Sequence, residues 1–455
     1  MNRGRLLLFE DESARDFEPL TLLRSVARLR FGAWTHRERW EHLFPDRELG
    51  VLCRSDLCES EREDGHWSFV CGPRDPAEAA DLADDTLFIA AAFGLPDRAI
   101  LSEMRQLPVG HAMVHEGRLL AARASGRSAL HLAGSLAEIA GHDLLTPIAH
   151  AAFSSRIKML EEIGLEISEA AARLPRFLPD LIRENAAAIE QDFESYAALL
   201  PPPSIGDPPG IHTIRPDRIR LGEGVRVDPG VVLDAREGPI LIGSGTSIGA
   251  NAVLMGPIAA GQRCLIKPGA RIAGLSMGTN CKVGGEIESS IIQGFSNKQH
   301  DGFLGHSYLG QWVNLGAATD TSDLKNNYGP VRVTIAGRER DTGSRHVGAF
   351  LGDHTKTGIH TMLNTGTVAG AFSNLFGAGF HPKEIPSFVW GGEKRWQEHE
   401  LAKALDVAAV VSSRRDVKYT DADRRLAARL YEATARHRRG WLSQFRSNDA
   451  KMSPD

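Results

Sequence analysis

Long apolar runs are missing from this chain of 455 residues, and so is any block of basic charge. The longest apolar stretch, Leu87 to Leu95, falls well short of the ~20 residues a bilayer span needs, so no membrane association is expected. A net charge of −5 without a Lys/Arg run leaves little to neutralise a phosphate backbone, which argues against nucleic acid as a partner. Cysteine is scarce. Five in so long a chain, an odd number, read as reduced thiols and a cytoplasmic setting, not as a disulfide framework. Cys53, Cys58, His66 and Cys71 are spaced like no compact zinc finger, and the three cysteines read as ordinary thiols. The N-terminus does not have the form of a signal peptide, because Asp11 and Glu12 follow directly on a short Leu run. What remains is an ordinary globular composition, 42% hydrophobic and 24% charged, with room for two or three domains.

A six-residue period organises the chain from about Leu221 to Phe380. Ile242, Ile248, Leu254, Ala260, Ile266 and Ile272 are all apolar. Four residues after each stands Thr246, Ala252, Ile258, Cys264, Ala270 or Ser276, mostly small. The same beat opens with Leu221, Val227 and Leu233. It returns as Leu351, Thr357, Leu363, Ala369 and Leu375, accompanied by Thr355, Thr361, Thr367, Ser373 and Gly379. Neither a period of 2 nor one of 3.6 fits this register. A hexapeptide β-helix does: three short faces make a coil of about 18 residues, with one apolar side chain per face filling the interior. Small residues suit the places where chain passes close to the next coil. Glycines after the apolar position (Gly222, Gly243, Gly249, Gly310, Gly316, Gly352) are expected at corners that need unusual backbone angles.

Before the repeat, alternation of strand and helix predicts an α/β layer with a mostly parallel sheet over residues 1–135. Leu6 to Phe9 is its first buried strand, Trp34 to Leu43 a helix, and Thr86 to Ala92 a central strand. Residues 136–205 read as a helical connector ending at Pro201-Pro202-Pro203. The β-helix occupies 206–390. Residues 391–455, charged and Ala-rich, read as terminal helices that cover the open end of the repeat. A segment from Asp320 to Gly348 breaks the beat and is expected to be extruded from the coil.

Within the repeat, Asn297-Lys298-Gln299-His300, Phe303-Leu304-Gly305, Tyr308-Leu309-Gly310 and Val313-Asn314-Leu315-Gly316-Ala317 resemble one family in particular. These are the bifunctional glucosamine-1-phosphate N-acetyltransferase / N-acetylglucosamine-1-phosphate uridyltransferases, whose pattern aligns without a gap from His300 to Thr319. A family C-N-Y-D-G loop resembles Asn326-Asn327-Tyr328-Gly329. The resemblance implies a left-handed β-helix, acetyl-CoA as acyl donor, an aminosugar 1-phosphate as acceptor, and a homotrimer with sites between subunits. It implies His300 as catalytic base, with Lys267, Phe303, Asn314, Asn327 and Tyr328 at the substrate. Lys267 stands for a family Arg, Phe303 for a family Tyr, and a second basic phosphate ligand is replaced by Glu286-Ile287-Glu288; a repositioned Lys298 is one substitute. In the first domain Glu18-Pro19-Leu20-Thr21 is similar to the L-x-P-L-T of sugar nucleotidyltransferases, whose glycine-rich loop is missing here. That likeness implies Thr21 and Arg24 at a nucleotide, with UTP as substrate and Mg²⁺ if nucleotidyl transfer operates. Asp84 and Asp85 are the acidic candidates for that metal.

A histidine suits acyl transfer to an amine, because its ordinary pKa of about 6.5 lets it take a proton at neutral pH. His306, one repeat beyond His300, is the competing candidate. His354 and His360 read as stacked polar residues on an outer face. The expected activity is acetyl transfer to an aminosugar 1-phosphate, possible coupling to UTP following it. The alternatives are a nucleotidyltransferase with the β-helix as oligomerising scaffold, and a regulatory protein on both folds.

Overall fold

The structure, a computed structural model, describes residues 4–72, 85–141, 153–199, 210–393 and 395–449. Asp84 and the Pro201–Pro203 run lie outside these residues. In the first part, Arg5–Phe9 pairs in parallel with Glu48–Leu52 on one side and Thr86–Ala90 on the other. Leu6, Leu7 and Leu8 are all fully buried, as a run of consecutive apolar residues requires when both faces of a strand are covered. The full seven-stranded order is Phe69–Cys71, Glu48–Leu52, Arg5–Phe9, Thr86–Ala90, Arg118–Ala124, His111–His115, Glu166–Glu169. The last strand comes from the segment read as a helical connector and pairs in parallel with His111–His115. The helix His36–Leu43 starts with a Thr35/Glu38 capping box, the reciprocal arrangement that satisfies two free N–H groups at once.

From residue 212 the chain cycles through three parallel ladders. One joins Val232–Asp234 to Val253, Arg271 and Glu286 in succession, and a second joins Ile240–Ile242 to Ile258, Leu275 and Ser290. The third joins Ser247–Ile248, Leu265–Ile266, Lys282–Val283 and Asn297–Lys298. Ile242, Ile248, Leu254, Ala260, Ile266 and Ile272 all point inward and are buried. The repeat shortens along the stack, since Ile248 pairs with Ile266, Ile266 with Val283, and Val283 with Lys298.

The corners differ from expectation in an instructive way. Gly222, Gly243, Gly249, Gly310, Gly316 and Gly352 have ordinary negative φ. They are glycines for want of space: a Cβ on Gly316 would lie 2.3 Å from the Gly358 carbonyl oxygen, and one on Gly243 2.6 Å from the Gly261 carbonyl carbon. The left-handed corner is held by side-chain-bearing residues, Arg263, Asn280, Phe295, Trp312, His354, Phe372 and Phe388. Five of these form a column of rings, with Phe295–Trp312 at 4.5 Å, His354–Phe372 at 4.6 Å and Phe372–Phe388 at 4.7 Å between centroids. His354 is therefore stacked but buried, not on an outer face as expected, and burial holds its imidazole well below the ordinary pKa. His360 is exposed.

The segment after Asp320 leaves the stack as an antiparallel hairpin, Arg332–Ile335 with Arg338–Asp341. Val331, Val333 and Ile335 join the core of the α/β part. That part lies along the side of the stack. The helix Leu178–Ala197 runs between them, with Asn185 accepting from Gly32 N–H (2.9 Å) and from the Ser276 hydroxyl (2.9 Å). At the far end Trp396 falls on a strand, Arg395–Glu398, which closes the third ladder antiparallel to Val389–Gly392. The helices Leu401–Ser413, Asp421–Ala433 and Ala435–Asp449 follow. Trp441 packs on Trp396 and donates to the Glu384 carbonyl at 2.9 Å, so the terminal helices do meet the last coil. No described helix is long and apolar enough to cross a membrane.

Candidate functional site

His300 follows the strand Asn297–Lys298 at a coil corner, and its side chain is exposed. Lys298 explains part of that corner. It occupies an inward register position opposite Val283, only 1% exposed, and its ammonium donates to the carbonyls of His300 (2.6 Å) and Gly284 (3.1 Å). Burial lowers its pKa to about 8. A lysine spent on main-chain carbonyls inside the coil is not a free phosphate ligand, so the substitution considered from sequence fails.

Lys267 lies on the same corner. A Cβ on Gly284 would sit 3.0 Å from Lys267 Cβ and 2.7 Å from the Gln299 carbonyl oxygen. Gly284 is therefore a glycine for want of space: Lys267 on one side and the Gln299 carbonyl on the other already fill the position a side chain would take. Along the outer surface of the third ladder, Asn297 donates to Asn314 Oδ1 (3.2 Å) and accepts from Arg415 (3.0 Å). The pKa of Lys282 is lowered, first by partial burial and then by Arg415, Arg414 and Lys267. Four cations and two amides therefore share one face beside His300. Sequence reasoning found Lys267 and Asn314; it missed Lys282, Arg414 and Arg415. The two arginines end a helix more than a hundred residues away, and no local motif marks them.

The other candidates scatter. Phe303 is half-buried, with its ring against Gly305 and its N–H donating to Asp320 Oδ1 at 2.7 Å. It pairs with Glu286, so Leu304, not Phe303, takes the interior position. Asn327 and Tyr328 are exposed in a tight turn, where Tyr328 N–H donates to the Lys325 carbonyl (2.9 Å) and Asn327 Oδ1 accepts from Gly329 N–H (3.1 Å). His306 points elsewhere, with Nδ1 at 2.7 Å from Asp323 Oδ2.

At the carboxyl ends of the parallel strands, where α/β sheets usually hold ligands, the residues are paired with each other. Glu10 is buried against Arg54 at 3.0 and 3.1 Å and accepts from Val26 N–H at 2.8 Å. Thr21 is buried and donates to the Ala14 carbonyl at 2.8 Å. Arg24 is buried as well, bonded to Gln311 (3.2 Å) and ion-paired with Asp353 of the stack. Asp85, the one Mg²⁺ candidate among the described residues, stands at the opposite, amino end of Thr86–Ala90 and is held by Arg47 (3.0 Å) and Arg123 (2.7 Å). A carboxylate between two guanidinium groups does not fit a Mg²⁺ ligand, so no step is built on that ion.

Residues 6–198 match the sugar nucleotidyl transferase family. A bifunctional sugar-1-phosphate nucleotidylyltransferase/acetyltransferase of Sulfurisphaera tokodaii is 32% identical over 91 residues, 20% of this chain and 23% of that protein. The bifunctional protein GlmU of an Azoarcus species is 34% identical over 166 residues, covering 35% of this chain and 32% of the relative. That of Synechococcus elongatus is 26% identical over 200 residues, 39% and 40%. The chain is thus a relative of these transferases, and each alignment spans well under half of the curated relative.

Proposed function

We propose that this chain, a relative of bifunctional sugar-1-phosphate transferases, transfers an acetyl group from acetyl-CoA to the amine of an aminosugar 1-phosphate. His300 acts as general base. The observation that carries the reading is the exposed His300 corner, with Lys267 packed close to it across Gly284 and with Lys282, Arg414 and Arg415 on the adjoining face. In this reading Lys267 and Lys282 meet the sugar phosphate or the phosphates of the donor, and Arg414 and Arg415 extend that field. Asn314 orients the sugar, Phe303 approaches it from the coil, and Asn327 and Tyr328 approach it from the extruded segment. The three ladders are the faces of a left-handed β-helix, residues 206–390, and the working unit is a cytoplasmic homotrimer. The second reading, nucleotidyl transfer from UTP at residues 1–135 with Thr21 and Arg24, is supported by the family match over residues 6–198.

In the mechanism, His300 takes the proton that the amine sheds as it attacks the thioester carbonyl; the C–S bond breaks as the tetrahedral intermediate collapses to the amide, and CoA leaves as the thiol with that proton. The cationic face holds the anionic substrates but does not need to move a proton. His300→Ala should therefore cut acetyl transfer by about 10²–10⁴, the usual worth of a general base, with little change in acetyl-CoA binding. The assay offers a panel of hexosamine 1-phosphates and reads CoA thiol and pyrophosphate release separately. Pyrophosphate release should survive the substitution. If His306→Ala abolishes thiol release while His300→Ala leaves it near wild type, the assignment is wrong. If neither matters, the stack is a scaffold and the second reading stands.

A further inference from the structure

Away from the His300 corner, three potential metal ligands meet where the extruded segment leaves and rejoins the stack. The ligand atoms of His306, Asp323 and His346 all lie within 4.8 Å of one another. His306 Nδ1 is 2.7 Å from Asp323 Oδ2, and the His306 and His346 rings are 5.1 Å apart between centroids. The main chain fixes this grouping independently of the side chains. Gly348 N–H donates to the His306 carbonyl (2.9 Å), Val347 N–H to the Asp323 carbonyl (2.8 Å), and Leu324 bridges His346 antiparallel. His306 itself is held at φ +44°, in the left-handed region, which a residue without glycine's freedom adopts only where its surroundings impose it. His306 and His346 also line a cavity of about 270 Å³, together with Asn185, Ser289, Thr342 and Ser344.

We propose that His306, Asp323 and His346 bind a divalent transition-metal ion of the Zn²⁺ class. Two imidazoles and one carboxylate are a ligand set of the right softness for zinc, copper, nickel or iron and a poor one for Ca²⁺ or Mg²⁺. Closing around an ion at about 2.0–2.2 Å from each ligand asks only for side-chain rotation, because the backbones are already paired. Three protein ligands leave one position for water, on the side of the cavity. The ion would clip both ends of the 324–345 hairpin segment to one coil, so that segment becomes ordered or labile with metal supply. Nothing in this proposal depends on the acetyl-transfer reading.

The full-length protein, stripped with a chelator and dialysed, is titrated with Zn²⁺ by calorimetry and with Co²⁺ by visible absorption. One equivalent per chain is expected, with d–d bands of a nitrogen/oxygen site. Zn²⁺ should raise Tm and slow tryptic cleavage at Lys325, Arg332, Arg338, Arg340 and Arg345. His346→Ala, an exposed position whose loss leaves the His306–Asp323 contact in place, should weaken binding by at least about tenfold and abolish both the Tm shift and the protection. Asp323→Asn should do the same. Binding of no equivalent, or of one equivalent unchanged in both variants, overturns the proposal. The first result leaves a simple His–Asp hydrogen bond, and the second moves the ion to other residues.

Discussion

Lys298 shows how one side chain in an unusual place changes the energetics of a repeat. The inward positions of its ladder hold Ile266 and Val283 in the preceding coils, and a lysine there must bring an ammonium into the stack. It is held by two carbonyls and no carboxylate, and burial lowers its pKa from 10.5 to about 8. The folded state therefore releases this proton more readily than the unfolded chain does. Below pH 8 both states are protonated and the whole burial penalty is present. Between about 8 and 10.5 the unfolded chain binds more protons, so stability rises with pH. Lys356, whose pKa burial also lowers to about 8, adds a contribution of the same sign. Lys298→Met should remove its share. Relative to the wild type, the variant should be most favoured near pH 7, and that advantage should shrink by up to about 3 kcal/mol as pH approaches 10.5, at 1.36 kcal/mol per pKa unit. Loss of the two carbonyl contacts adds a pH-independent term, so the slope is the test. Denaturant unfolding at pH 7, 8.5 and 10 measures it; a difference constant across that range would refute the burial argument.

At the scale of the element, the stack is set by what cannot fit between coils. A Cβ on Gly316 would press on the Gly358 carbonyl oxygen at 2.3 Å, and neither backbone can withdraw without breaking a ladder. Gly316→Ala should cost on the order of 1–3 kcal/mol, as overpacking does. Gly134→Ala is the contrast. It lies in the helix Gly126–Ala140 with open space where a Cβ would go, and should stabilise by up to about 1 kcal/mol through helix propensity alone. Thermal unfolding of both variants decides whether close approach is the operative constraint; equal effects of one sign would refute it. The interior of the stack was legible in the sequence because each six-residue step needs one apolar side chain, and Ile242 through Ile272 keep strict time. The shortening of later coils was not. Nothing local in Asn297-Lys298-Gln299-His300 announces that Lys298 faces in, or that Leu304 and not Phe303 takes the next interior position. The hairpin was visible as a break in the beat. Its fold depends on Val331, Val333 and Ile335 meeting the core of the α/β part, a contact no local pattern encodes. At the candidate site the same limit applies: His300, Lys267 and Asn314 stand in a recognisable motif, while Arg414 and Arg415 reach that face only through the docking of a distant helix.

At the scale of the whole molecule, the α/β part and the stack are joined by buried polar contacts as well as by a shared core. Arg24 pairs with Asp353, Tyr308 donates to the Arg30 carbonyl at 2.8 Å, and Gln293 accepts from Arg30 N–H at 3.0 Å. That covers one side of the stack and leaves another open. The corner column that begins at His300–Asp301 continues through Ala317–Ala318 to Ile359–His360, each step tied by a main-chain bond, Ala318 N–H to Asp301 (3.0 Å) and His360 N–H to Ala317 (2.8 Å). Past it, Ile359, Phe376, Phe380 and Met362 are 70%, 42%, 63% and 37% exposed. Exposed apolar side chains gathered on one face mark a surface that something covers. A second copy of this chain seated there would stand beside His300, which is the arrangement the proposed trimer with shared sites requires. The wild-type protein should therefore scatter light as a trimer at micromolar concentration. The double variant Ile359→Asp, Phe380→Asp buries two carboxylates at that contact and should give a folded monomer, with an unchanged circular dichroism spectrum and acetyl transfer reduced along with the assembly. A wild-type monomer with full thiol release would refute the shared site. A double variant that remains trimeric would move the interface to another face.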